Sequence, residues 1–268
     1  MRWRLALFCL VAACAGRPAM LPPPPPHTGG GILWSLVHAQ CTPHERQAGI
    51  PAPCLVVDLS GGEARGYALL KDRNGVAQLL LLPTARITGI EDPQLLAPGG
   101  PDYFALAWAA RSRVAARLPR PAPDTALLVA VNSIYGRSQD QLHLHIDCLS
   151  PAAAAVLAGA RLDPRWRPLS IGPRRYLARH VASLDGDDDP FRLLARTRRD
   201  ARADMGAWTL AATAAPAGGF TVLADRANPA QGDFASAEEL QDHACALGGP
   251  PLSRATSPLA DDRRSRLS

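Results

Sequence analysis

The residues best equipped for chemistry stand together between Asn132 and Cys148. The run Gln141-Leu142-His143-Leu144-His145-Ile146-Asp147 alternates polar with apolar side chains. A strand sends successive side chains to opposite faces. This alternation places Gln141, His143, His145 and Asp147 on one face, with Leu142, Leu144 and Ile146 packed behind. Two imidazoles on one rigid face can address one small group. Just upstream, the turn Gly136-Arg137-Ser138-Gln139 supplies a charged fork, a hydroxyl and an amide, donors suited to phosphate oxygens.

Three chemistries fit a His-x-His strand. Zinc binding is one, with Asp147 or His243 completing the ligand set. A polar strand face without chemistry is another. The third is phosphoryl or nucleotidyl transfer through a histidine nucleophile, since neutral imidazole attacks phosphorus and can leave again. The turn at residues 136–139 favours the third, because a metal site has no need of it. That chemistry requires no metal and no cofactor. Lys71 and Arg86, each beside an apolar run, are further candidates for phosphate contact, against a solvated lysine and a salt bridge. A direct role for His243 stays open.

Strands and helices must hold these groups in place. Residues 66–71 and 76–82 are apolar runs around Asn74-Gly75, a strong hairpin signal. Residues 126–131 and 142–148 read as strands, and residues 208–214 and 220–224 as a second hairpin. Helical spacing covers residues 32–40, 102–118 and 151–160. A further helix opens at Asp189-Pro190 and runs to about residue 205. Residues 236–247 read as a closing helix, with Ser236 and Glu239 spaced as a capping box. Segregated strands and helices predict an α+β fold with an antiparallel sheet.

The chain has 268 residues, 47% of them hydrophobic, which excludes a disordered protein. Its formal net charge is +5, and Lys71 is the only lysine among the basic residues. A basic balance suits an anionic partner such as an acidic membrane. Nucleic acid is not expected, because no basic block is interleaved with aromatics.

The N-terminus resembles an export leader. Met1-Arg2-Trp3-Arg4 is basic and residues 5–13 are apolar, too short a stretch to span a bilayer comfortably. Val11-Ala12-Ala13-Cys14 has the form of a lipidation site. A plain cleaved signal and an uncleaved anchor extending through Met20 are the alternatives. Residues 22–26 are all proline and residues 29–31 all glycine, a stiff spacer followed by a hinge. The domain expectation is a leader and spacer at 1–31, one catalytic domain at 32–248 and a disordered tail at 249–268. Behind an export signal, Cys41, Cys54, Cys148 and Cys245 suggest two disulfides. Three pairings are possible, and the expected one is Cys41–Cys54 with Cys148–Cys245.

Residues 132–145 resemble the histidine-triad signature, in which the middle histidine is the nucleophile. That position maps to His143 and the third to His145. The first is Gln141, a departure, since glutamine can orient a neighbour but cannot titrate. The wider chain resembles the bacterial CDP-diacylglycerol pyrophosphatase family. The likeness rests on Leu70-Lys71-Asp72-Arg73-Asn74-Gly75, Leu82-Pro83-Thr84-Ala85-Arg86-Ile87, Ala107-Trp108-Ala109-Ala110-Arg111, Asn132-Ser133 and Ser236-Ala237-Glu238-Glu239-Leu240-Gln241-Asp242-His243. It implies a histidine-triad-like (HIT-like) antiparallel sheet with flanking helices and a C-terminal α/β extension. The implied substrate is CDP-diacylglycerol in the membrane, cleaved to CMP and phosphatidate by a periplasm-facing protein of the inner membrane. In that scheme His143 attacks phosphorus, and Arg137 and Ser138 stabilise the equatorial oxygens. His145 hydrogen-bonds a phosphate oxygen, while Asn132 and Gln139 orient the phosphates.

Overall fold

The computed structural model describes residues 21–25, 27 and 31–248. The expectations for export, for lipidation at Cys14 and for the tail at 249–268 lie outside the described residues. The strands are β1 (Val56–Asp58), β2 (Tyr67–Lys71), β3 (Leu79–Pro83), β4 (Leu127–Val131), β5 (Leu144–Cys148), β6 (Arg167–Ile171), β7 (Arg174–Val181), β8 (Trp208–Ala214) and β9 (Phe220–Arg226). They form one sheet in the order β1-β2-β3-β5-β4-β8-β9-β7-β6, antiparallel at each pairing. The helices are α1 (Ile32–Leu36), α2 (Thr42–Ala48), α3 (Tyr103–Ala109), α4 (Ser112–Ala115), α5 (Pro151–Gly159), α6 (Pro190–Thr197) and α7 (Arg199–Ala203). The fold is α+β, as expected.

Alternation along the strands divides the core between the two faces of the sheet. On the first face Leu79, Leu81, Val129, Leu144, Ile146 and Leu210 pack under Phe104 and Trp108 of α3 and Phe191 of α6 as one continuous cluster. The second face carries two separate clusters. Leu80 and Leu82 pack with Val37, Cys41 and Cys54 below α1 and α2. Leu128, Ala130, Ala211 and Leu223 pack with Ala153 and Leu157 of α5. The strand between them is β5, whose His145 is in register with Leu80 on one side and Ala130 on the other. His145 and Asp147 therefore point out of the second face. Apolar cover there would leave buried polar groups without partners, so the core divides at β5 and leaves a cleft.

Several expected elements change form. The helix expected over 102–118 is two, α3 and α4, and that over 189–205 is α6 and α7 with an extended Arg198 between them. Residues 236–247 are not a helix. Only a short 3-10 turn, Ala237–Leu240, forms there, and Ser236 makes no capping bond. Bonds to the sheet take its place: Ser150 N–H donates to Leu240 O, Asp242 N–H to Cys148 O, and the Gln241 amide to Leu128 O and His145 O. The β2–β3 hairpin exists, but a loop over 72–78 replaces the tight Asn74-Gly75 turn. β1, β6 and β7 were not expected; β1 and β6 are the sheet edges, β6 is exposed along most of its length, and the arginines and histidine of β7 blur its apolar alternation. The C-terminal half continues the same sheet, since β8 pairs with β4.

Part of the expected spacer is docked on the 134–140 turn. Tyr135 Oη donates to Pro22 O (2.8 Å), and the His27 ring lies 2.6 Å from Asp140 Oδ1 and 2.8 Å from Ile134 O. Both disulfides have the expected pairing. Cys41–Cys54 closes a separation of 13 residues and Cys148–Cys245 one of 97. A cross-link removes more unfolded-state freedom when it closes a longer loop. Replacing Cys148 and Cys245 with serine should cost about 2–5 kcal/mol, and more than the same change at Cys41 and Cys54. Denaturant melts of the two double variants check the order.

Candidate active site

The cleft on the second face has a volume of about 390 Å³ and is lined by Asn132, Gly136, Ser138, Gln139, His143, His145 and Glu238 on its polar side. Lys71, Asp72, Arg73 and Asn74 line it from the β2–β3 loop, and Leu33, Leu36, Pro53, Leu70 and Leu80 from its apolar side. His143 stands just before β5. Its ring lies edge-on to that of His145, with centroids 4.9 Å apart.

One backbone bond decides the form of His143. Its Nδ1 lies 2.7 Å from the carbonyl of Gln141. A carbonyl only accepts, so Nδ1 carries the proton and the lone pair is on Nε2. Burial disfavours the imidazolium, the neighbouring His145 adds to this, and together they outweigh the Gln141 bond. The pKa falls to about 4, so the ring is neutral at pH 7.

His145 is held from its other side. Its Nδ1 lies 3.2 Å from Glu238 Oε1 and 3.0 Å from the Gln78 amide. Its buried Nε2 has no partner among the described residues. Burial alone would raise the Glu238 pKa, but the bonds from His145, Asn132 and Gln78 hold it down to about 2. Asn132 grips Glu238 twice: Nδ2 donates to Oε2 (2.9 Å) and Oδ1 accepts from its backbone N–H (3.2 Å). A charged carboxylate so fixed orients the imidazole of His145 through Nδ1.

A family model described as CDP-diacylglycerol pyrophosphatase matches residues 28–249. A Yersinia pestis protein described as CDP-diacylglycerol pyrophosphatase is 42% identical over 249 residues, 91% of this chain and 93% of that protein. The chain belongs to the CDP-diacylglycerol pyrophosphatase family.

For this family member the geometry sorts the candidate residues. His143, His145, Asn132, Ser138, Gln139 and Lys71 meet in the cleft, and the buried Gln139 Oε1 has no partner among the described residues. Arg137 does not line it. Its buried guanidinium is bidentate to Glu91 (2.6 and 2.7 Å) and bonded to Asp140 (2.9 Å), so the fork expected for phosphate is committed to carboxylates. It lies so close to Gly89 that a Cβ there would stand 1.8 Å from Nη1. Gln141 is also redirected: its amide donates to Pro83 O and Ala85 O, and its backbone carbonyl, not its side chain, orients His143. Arg86 is exposed, reaching Gln141 Oε1 (3.4 Å) and the Trp34 ring (5.2 Å). Lys71 donates to the carbonyls of Asp72, Asn74 and Gly75, holding the loop as well as facing the cleft.

Asp147 and His243, the ligands that the zinc alternative would have used, are bonded to each other. Asp147 is fully buried, with Oδ1 accepting from Cys148 N–H and Oδ2 bonded to His243 Nδ1 (2.7 Å). The nearby Cys148 and Cys245 are joined as a disulfide and offer no thiolate. Sequence reasoning missed Gln78 and Glu238 as parts of the site. Gln78 interrupts an apolar run, and Glu238 sits beside the false capping residue Glu239; an acid in a matched motif was the available signal.

Since His143 is depressed from 6.5 to about 4, the unfolded chain binds more protons than the folded one between those values. Stability therefore rises with pH from about 4 to 6.5, by ~3 kcal/mol from this group. His143→Gln should flatten that rise. Chemical denaturation of both proteins at pH 5 and pH 7 checks it; equal pH dependence would contradict the assigned neutral ring.

Proposed function

We propose that the cleft hydrolyses the pyrophosphate bond of CDP-diacylglycerol to CMP and phosphatidate, with His143 as nucleophile in the manner of a histidine triad. The observation that carries this reading is the His143 ring, which lines the cleft with its Nδ1 held by the Gln141 carbonyl, so that the lone pair is on Nε2. The Nε2 lone pair forms a bond to the CMP phosphorus. The bridging P–O bond breaks, and phosphatidate leaves with its electron pair. Water then attacks the same phosphorus, the P–N pair returns to Nε2, and a proton is released with CMP. Splitting one hard displacement into two easier ones is the advantage of a covalent intermediate.

The remaining residues position and stabilise. His145, oriented by Glu238, hydrogen-bonds a phosphate oxygen, where charge builds as the bond changes. Ser138 and Gln139 orient the phosphates, Asn132 positions Glu238, and Lys71 offsets the phosphate charge. Arg137 acts at one remove, holding the 136–140 turn through Glu91 and Asp140. Glu238 repels a diphosphate when unpaired, so its bond to His145 also screens the cleft.

The same reading keeps the protein on the periplasmic side of the inner membrane, held by its leader. Two disulfides support it, because such bonds persist in oxidising compartments. No helix among the described residues is long and apolar enough to cross a membrane.

His143→Ala should lower CMP release from CDP-diacylglycerol by at least about a thousandfold, the scale of losing an essential catalytic group. The near-ultraviolet circular dichroism should be unchanged. Retention of activity within tenfold of the parent would overturn the assignment.

A further inference from the structure

The apolar side of the cleft has no part in phosphate chemistry, and its placement is specific. Cross-strand partners share a face of the sheet. His145 of β5 is in register with Leu80 of β3, and Leu80 with Leu70 of β2. Neighbouring strands lie about 4.8 Å apart, so Leu80 stands roughly 5 Å and Leu70 roughly 10 Å from the catalytic strand. The next step outward is Leu55, whose backbone N–H donates to Leu69 O at the sheet edge. An apolar track thus runs from the paired histidines to the rim.

Helix α1 forms the wall over that track. Leu33 and Leu36 line the cleft, and Ile32 at its opening is 58% exposed. The wall is braced from behind: Val37, Cys41, Cys54 and Leu80 form one small core. The Cys41–Cys54 bond ties α1 and its π-helical continuation, Val37–Cys41, to the loop ahead of β1. Ile50 within that closed loop and Leu55 just beyond it are also exposed, at 65% and 38%. A soluble nucleotide has no use for such a surface, since apolar side chains beside a polar pocket cost free energy unless something apolar covers them.

We infer that the track Leu80–Leu70, walled by Leu33 and Leu36, is the subsite for the glycerol backbone and proximal acyl carbons of the leaving phosphatidate. The inference rests on the reading of the cleft given above. It fixes the direction of the substrate: diacylglycerol exits past α1, and the cytidine side lies toward Ser138, Gln139 and the polar end. The cleft has the volume of a small-ligand pocket, so the distal acyl chains stay outside it. Ile32, Ile50 and Leu55 are placed at the rim where those chains leave.

The test compares CDP-diacylglycerols of increasing acyl length with CDP-glycerol, each dispersed in the same neutral detergent. For the parent protein kcat/KM should rise over the first few acyl carbons and then level off. For Leu36→Asp and Ile32→Asp the ratio of kcat/KM on long-chain lipid to that on CDP-glycerol should fall roughly tenfold, the loss of contact with about two methylenes. Leu36→Met should restore it. A parent profile flat with chain length, or a ratio unchanged in both aspartate variants, would overturn the subsite. Leu36→Asp failing to fold leaves the parent chain-length series and Ile32→Asp to decide. Hydrolysis of neither the lipids nor CDP-glycerol by the parent would instead bring down the reading of the cleft, and the subsite with it.

Discussion

The bond between His143 Nδ1 and the carbonyl of Gln141 is the interaction on which the account of this site depends. It fixes the tautomer of a buried ring, and with it the direction in which the lone pair points. Family resemblance suggested that a side chain at position 141 would do this work. The backbone does it instead, which explains how glutamine is tolerated there. The glutamine side chain is spent elsewhere, on the carbonyls of Pro83 and Ala85, where it holds the start of β5 against the end of β3.

Around that bond the sheet is organised by a conflict between burial and polarity. The first face is covered by helices without interruption. The second could not be, because β5 presents His145 and Asp147 between two apolar neighbours. The protein resolves this with two separate clusters and with a C-terminal segment that brings polar groups to polar groups. Glu238, Gln241 and His243 each meet a β5 partner: His145, the His145 carbonyl and Asp147. Cys148–Cys245 fastens the same segment to the same strand. Helical bonding of residues 236–247 is given up because these contacts and a helix cannot form together.

Much of this was legible in the sequence. The alternation from Gln141 to Asp147 identified β5 and its polar face, and an even set of four cysteines behind a leader gave the disulfides. What failed has a common cause. Arg137 and Glu239 were judged by the local chemistry of their side chains, while their roles are set by distant partners. Glu91 claims the Arg137 guanidinium from 46 residues away, and Arg174 and Tyr176 claim Glu239 from 65 and 63. Periodicity says nothing about such pairings. The edge strand β6 escaped for a related reason, since it buries only Ile171 and shows no clean pattern.

Covalent capture tests the central claim most directly. Rapid acid-free quenching of the enzyme with CDP-diacylglycerol labelled at the cytidine phosphate should trap CMP on a histidine, stable to base and labile to acid. Peptide mapping should place it on His143 Nε2. Turnover with no trapped nucleotide at any quench time, or a nucleotide bound to His145 or another residue, would contradict the account.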